Sequence, residues 1–144
     1  MNRKDRALGL FKEGFSCSQA VAPVFAEDHG LPVATALRLA QGFGGGMARL
    51  AETCGAVTGA ILVVGLKHGR TRPEDEAAKE RTYALVQELV RRFRARHGAL
   101  DCRELLGCDI GTAEGRKLVA DGKLHDDLCP LLIASAVEIL EDIL

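Results

Sequence analysis

A chain of 144 residues, 47% hydrophobic and 27% charged, is long enough to bury a core and too apolar to stay disordered. A formal net charge of −1 supplies no field that would select nucleic acid or acidic lipid, and one tyrosine with no tryptophan argues against stacking platforms for single strands. The N-terminal stretch MNRKDRALGLFKEG is amphipathic and lacks the apolar region of a secretion signal, so a cytoplasmic protein is expected.

Leu8, Phe11 and Phe15 follow helical spacing and predict a first helix over about residues 3–14, stopped by Gly14. Ser16 with Gln19 has the capping-box pattern, so a second helix should begin at Cys17, with Cys17, Ala20, Val21, Val24 and Phe25 inward. Pro23 should kink it and His29-Gly30 close it. Pro32 opens a third helix, with Leu37 and Ala40 inward, that ends in the triple-glycine run Gly44-Gly45-Gly46. Cys54–Leu66 carries no charge and is 13 residues long, too short to span a bilayer, so a buried core helix is expected there and no membrane insertion. Gly55 and Gly59 share a face of that helix and would let a neighbour approach closely.

Pro73 followed by Glu74, Asp75 and Glu76 predicts a fifth helix that starts at the proline and runs to about Arg96, with Val86, Leu89, Val90 and Phe93 inward and His97-Gly98 as its stop. A short helical turn is expected over Cys102–Leu106, a polar helix over Thr112–Asp121, and a last helix from near Asp127 to the end with Leu132, Ala136, Ile139, Leu140 and Ile143 buried. Nothing alternates with period two. Residues 1–144 therefore read as one all-α domain, a compact bundle of about six to seven helices, without repeats or low-complexity tracts.

The five cysteines carry the chemistry. An odd number without a secretion signal does not describe a disulfide scaffold, and no CxxC pair is present. Cys17, Cys54, Cys102 and Cys129 each fall at a predicted helix N-terminus, where the macrodipole and free amides favour an anion. A thiolate there should have a depressed pKa, and the thiolate is the form that attacks disulfides and binds metals. The bland alternative is that cysteine packs as a small hydrophobe.

Cys17 within EGFSC, then FGGG, CGAVTG, CRELLG and the late Cys129 resemble the family of small redox-active proteins named for its cysteines and a CGAxxG pattern. The similarity runs from Glu13 to about Val137. The resemblance implies a helical protein of about this length that does thiol redox chemistry or binds a metal. Carried over by position, Cys17, Cys54, Cys102 and Cys129 match the four motif cysteines, and Cys108 falls outside the set.

Three functions follow. In the first, pairs drawn from Cys17, Cys54, Cys102 and Cys129 cycle between thiol and disulfide as the catalytic group of a thiol–disulfide or electron-transfer protein, with a redox partner protein or small thiol as the other reactant. This requires the bridged Cα atoms to come within about 7 Å. In the second, the same four thiolates are metal ligands for zinc or an iron–sulfur cluster. His125, four residues before Cys129, could then share its helix face, although a capping or surface role suits it better. In the third, the cysteines only pack, and the small-residue face could equally serve a homodimer contact.

Other features read blandly. FGGG lacks the GK[ST] ending and preceding strand of a phosphate-binding loop, so a turn or close packing is expected. Arg91-Arg92-Phe93-Arg94-Ala95-Arg96 is basic, but cations suit a helix C-terminus and Phe93 belongs to the apolar stripe; no nucleic-acid partner is expected.

Overall fold

The computed structural model describes residues 1–144. Its elements are α1 (Arg3–Glu13), α2 (Cys17–Val21), α3 (Pro23–Ala26), α4 (Val33–Ala40), α5 (Gly44–Met47), α6 (Gly55–His68), α7 (Glu76–His97), α8 (Cys102–Leu106), α9 (Ala113–Asp121), α10 (Leu124–Asp127) and α11 (Cys129–Ile143), with 3₁₀ turns at Glu27–His29 and Gln41–Phe43. The protein is all-α: its only β feature is an isolated antiparallel bridge between Thr53 and Asp101. No helix is long and apolar enough to cross a membrane.

Local chemistry explains most boundaries. Asn2 caps α1 through a hydrogen bond from the Asp5 amide, and Gly14 closes it in the left-handed conformation that an L side chain resists. At the start of α2 the Ser16 amide donates to Gln19 Oε1 at 3.2 Å. Gln19 also donates to the Leu37 carbonyl and to Gln41 Oε1, so the cap fastens α2 to the end of α4. Pro23, which has no amide hydrogen, separates α2 from α3, while Ala22 keeps helical angles and the path continues.

Three details differ from expectation. Helix α7 begins at Glu76 rather than at Pro73, because Asp75 accepts from the Ala78 amide at 3.1 Å and supplies the stronger cap. The last helix begins at Cys129, two residues beyond Asp127. A short helix, α10, precedes it, and Leu128 retains helical angles, so α10 runs almost directly into α11. In α4 the buried residues are Ala36 and Ala40, with Leu37 only half-buried.

The core is built around α6, which packs against α2, α7 and α11. Leu89 and Phe93 of α7 and Leu132, Ile133, Ile139 and Leu140 of α11 supply its bulk, all fully or nearly fully buried. Each such side chain contributes about 1.5–3 kcal/mol on leaving water. Against α2 the packing is of another kind. A Cβ added at Gly59 would lie 2.9 Å from the Ser18 carbonyl oxygen and 3.1 Å from Ser18 Cα. One at Gly55 would lie 3.1 Å from the Ser18 nitrogen and 3.3 Å from Cys17 Cβ. The two helices thus meet almost backbone to backbone along the glycine face, and Ser18, fully buried, ties off its hydroxyl on the Ala40 carbonyl at 2.8 Å. The arginine run at the end of α7 is engaged with acids: Arg91 and Arg92 pair with Glu88, Arg92 also with Asp142, and Arg96 with Glu138.

The glycine face can be tested within one helix. Gly59→Ala should lower stability by roughly 1–3 kcal/mol, since the added methyl cannot be accommodated without moving backbone. Gly65→Ala, where nothing lies within 4 Å, should be neutral or raise stability by up to about 1 kcal/mol. Urea unfolding of the two variants reads the contrast, and equal effects would contradict the packing described.

Candidate functional site

The four cysteines come from four distant segments and arrive at one cleft of about 910 Å³, which Cys17, Cys54, Cys102 and Cys129 all line. All five cysteines of the chain are free thiols in this structure, and Cys108 is not part of the cleft. It lies instead near the Leu106 and Gly115 carbonyls, at 3.7 and 3.6 Å.

Each thiol is delivered by a separate device. Cys17 is the first residue of α2, placed by the Ser16–Gln19 cap and pressed toward α6 by the absence of a side chain at Gly55. Cys54 is the N-cap of α6. Its lead-in pairs with the lead-in of α8: the Cys54 amide donates to the Leu100 carbonyl at 2.8 Å, the Cys102 amide to Glu52 at 2.6 Å, and the Arg103 amide to Ala51 at 3.1 Å. This short ladder surrounds the Thr53–Asp101 bridge and holds Cys54 and Cys102 side by side. Cys129 lies at the junction of α10 and α11, beside Pro130. Because α10 exists, the four-residue spacing of His125 and Cys129 does put both on the cleft; the imidazole is exposed at its edge, its ring 4.5 Å from that of Phe11.

The opposite wall is the glycine run and the residues that follow it. Gly45, Gly46, Met47, Ala48 and Arg49 have φ of 69, 67, 68, 54 and 66°, a left-handed turn five residues long. Left-handed backbone costs roughly 1–2 kcal/mol at each residue bearing a Cβ, so this turn is strained at Met47, Ala48 and Arg49. Two glycines reduce the cost, and packing fixes the rest. A Cβ at Gly46 would lie 2.8 Å from Cys102 Cβ and 2.8 Å from the Glu52 backbone, so the turn sits directly on the fourth element of the site. The Glu52 amide returns to the Gly46 carbonyl at 2.9 Å and the Ala51 amide to Gly45 at 3.3 Å.

The expectation of four depressed thiol pKa values does not hold. Cys54 is pushed up to about 11 by burial, although the amides of Ala56 and Val57 favour its thiolate. Burial pushes Cys102 up to about 12, with the neighbouring thiols adding to it. Only Cys129 moves down. Its interaction with the Cys17 thiol favours the Cys129 thiolate, against burial and the nearby Asp126 carboxylate. The same interaction, then burial and the other thiols, hold Cys17 well above the ordinary value of 9.0. The helix-end dipole is worth up to about 2 kcal/mol, less than the three to five pK units that full burial can impose. Burial wins at Cys54 and Cys102, while the interaction between Cys17 and Cys129 raises the one and lowers the other.

No set of three or more histidine, cysteine, aspartate and glutamate side chains is placed to ligate one ion. The arrangement suits an interacting pair, Cys17 and Cys129, of which Cys129 ionises the more readily, flanked by two thiols that stay protonated at neutral pH.

This difference is measurable. Alkylation of Cys129 by iodoacetamide should titrate with a midpoint below 9.0, because the thiolate is the reactive form and its pKa is lowered, while Cys54 should react only as pH approaches about 11. Cys17→Ala should raise the Cys129 midpoint by removing that interaction. Peptide mass spectrometry of timed samples reads each site, and identical midpoints for Cys54 and Cys129 would contradict the assignment.

No curated protein and no solved structure matches the chain. One family model does, over residues 15–143, and its description is "Putative redox-active protein (C_GCAxxG_C_C)". This chain departs from that label in one detail: it reads Cys54-Gly55-Ala56, with cysteine before glycine, and the Gly55 site has no room for a side chain. With the match spanning residues 15–143 of 144, the chain belongs to the C_GCAxxG_C_C family so described.

Proposed function

We propose that this protein carries out thiol–disulfide exchange in the reducing environment of the cytoplasm, with Cys129 as the attacking thiolate and Cys17 as the resolving thiol. The observation that carries the reading is that Cys17 and Cys129, from distant segments of the chain, line one cleft open to a reactant. Their interaction lowers the thiol pKa of Cys129 and raises that of Cys17, so Cys129 is the readier nucleophile of the two.

The reaction balances as follows. The Cys129 thiolate attacks one sulfur of a disulfide RS–SR, forming a mixed disulfide Cys129–S–SR and releasing RS⁻. The thiolate that held Cys17 protonated is thereby consumed, so the largest influence raising its pKa disappears. Cys17 can then lose its proton to solvent and attack the Cys129 sulfur, releasing the second RS⁻ and closing a Cys17–Cys129 disulfide. Two electrons pass from the pair to the substrate, and a dithiol reductant of the compartment returns the pair to its starting state. Cys54 and Cys102 remain protonated through this cycle and line the cleft. A metal-bound reading has no comparable support, since no ligand set is arranged for an ion.

Single substitutions separate the roles. Cys129→Ser should lower the rate of exchange with a small disulfide at pH 7 at least tenfold. Cys17→Ser should still react once and accumulate a mixed disulfide at Cys129, visible as an added mass in the intact protein. Cys108→Ser should leave the rate unchanged. A Cys129→Ser protein as fast as the parent chain would overturn the assignment.

A further inference from the structure

The left-handed turn presents one side chain that the exchange chemistry does not use. Among the residues lining the cysteine cleft, Arg49 carries the only fixed charge, and no aspartate or glutamate lines it. His125 is the one other titratable group apart from the thiols. Arg49 makes no ion pair, whereas Arg103, on the neighbouring α8, pairs with Asp109 at 3.5 Å. The carboxylate nearest in sequence to the Gly111 contact with the turn is therefore taken.

The position of Arg49 is built rather than incidental. Its backbone has φ 66°, in a turn that only a well-supported structure retains. The space where a Gly45 side chain would stand is occupied by the Arg49 stem, with Cγ 3.2 Å and Cβ 3.7 Å from that point. Gly45 thus serves twice, by accepting a positive φ and by making room for the arginine to fold back along the cleft wall. The Arg49 carbonyl is pinned from the other side, 2.9 Å from where a Cβ on Gly111 would be. The remaining polar lining includes the neutral side chains of Gln19 and Gln41 and the glycine backbone. A guanidinium without a carboxylate, on the rim of a site otherwise uncharged, selects for an anion, and its planar fork suits a carboxylate.

We infer that Arg49 recognises a carboxylate on the disulfide or thiol that reacts at Cys129, so that the substrate class is a low-molecular-weight, carboxylate-bearing disulfide. This rests on the exchange reading above and adds the substrate's charge to it. The step is the same exchange, with no further reactant.

Three disulfides of different charge test it: 5,5′-dithiobis(2-nitrobenzoate), a dianion; 2,2′-dithiodipyridine, neutral; and cystamine, a dication. Single-turnover rates with the reduced full-length chain and with Arg49→Gln are compared probe by probe, so that intrinsic probe reactivity cancels. The expected result is a rate roughly threefold to tenfold lower for the dianion in Arg49→Gln, with the neutral probe unchanged and the dication unchanged or faster. Arg49→Lys should recover part of the loss, and the parent chain's preference for the dianion should shrink as salt is raised. An equal change for all three probes, or none, would overturn the inference while leaving exchange at Cys129 standing. Failure of the parent chain to react with any probe at Cys129 would remove the exchange reading itself, and this inference with it.

Discussion

The contact between the Gly55–Gly59 face of α6 and the Ser18 backbone of α2 is the constraint on which the site depends. Two helices approach that closely only where one has no side chains, and here the approach occurs at their N-terminal ends. Cys17 begins the first helix and Cys54 caps the second, so packing that looks purely structural also sets the two thiols at one cleft. The ladder between Ala51–Cys54 and Leu100–Arg103 then brings Cys102, and α11 brings Cys129. The signature cysteines and the signature glycines are parts of one arrangement: the glycines determine where the sulfurs meet.

The electrostatics of the cluster follow from competition between burial and hydrogen bonding. Four thiols placed together in a partly buried cleft cannot all ionise, because each thiolate would disfavour the next. The structure distributes the cost unevenly. Cys54 and Cys102 are held as thiols, Cys17 is raised, and Cys129 is the one whose thiolate is favoured. The flanking glycine turn is strained at three residues, and such strain persists only where surrounding packing supports it. Gly46 against Cys102 and the Glu52 return bond provide that support, which couples the wall carrying Arg49 to the thiol cluster.

Much of the architecture was legible in the sequence because it is written in local chemistry. The helical stripe of Leu89 and Phe93, the Ser16–Gln19 cap, the glycine stops at Gly14, Gly30 and Gly98, and the Cys102–Leu106 turn all appear where periodicity and capping put them. What could not be read was non-local. Proline at position 73 looked like a helix start, but the Asp75 side chain captures the Ala78 amide two residues later. The FGGG run announced a turn, yet nothing in Met47-Ala48-Arg49 announces left-handed backbone, since those residue types avoid it and only the docking on Cys102 and Glu52 selects it. Arg49 was missed for that reason. The helix-end positions of the cysteines suggested low pKa values throughout. Burial reverses that at Cys54 and Cys102, and which of the other two is raised and which lowered depends on tertiary contacts that spacing does not encode.

The central claim is that Cys17 and Cys129 form the working pair. Its most direct test is disulfide mapping of the parent chain equilibrated in redox buffers of stepped potential, quenched by acid and alkylation, and digested for mass spectrometry. The account predicts one dominant bridge, between the peptides carrying Cys17 and Cys129, that forms and disappears reversibly while Cys54, Cys102 and Cys108 remain alkylatable after unfolding. A dominant bridge between Cys54 and Cys102, or five free thiols at every potential, would contradict it.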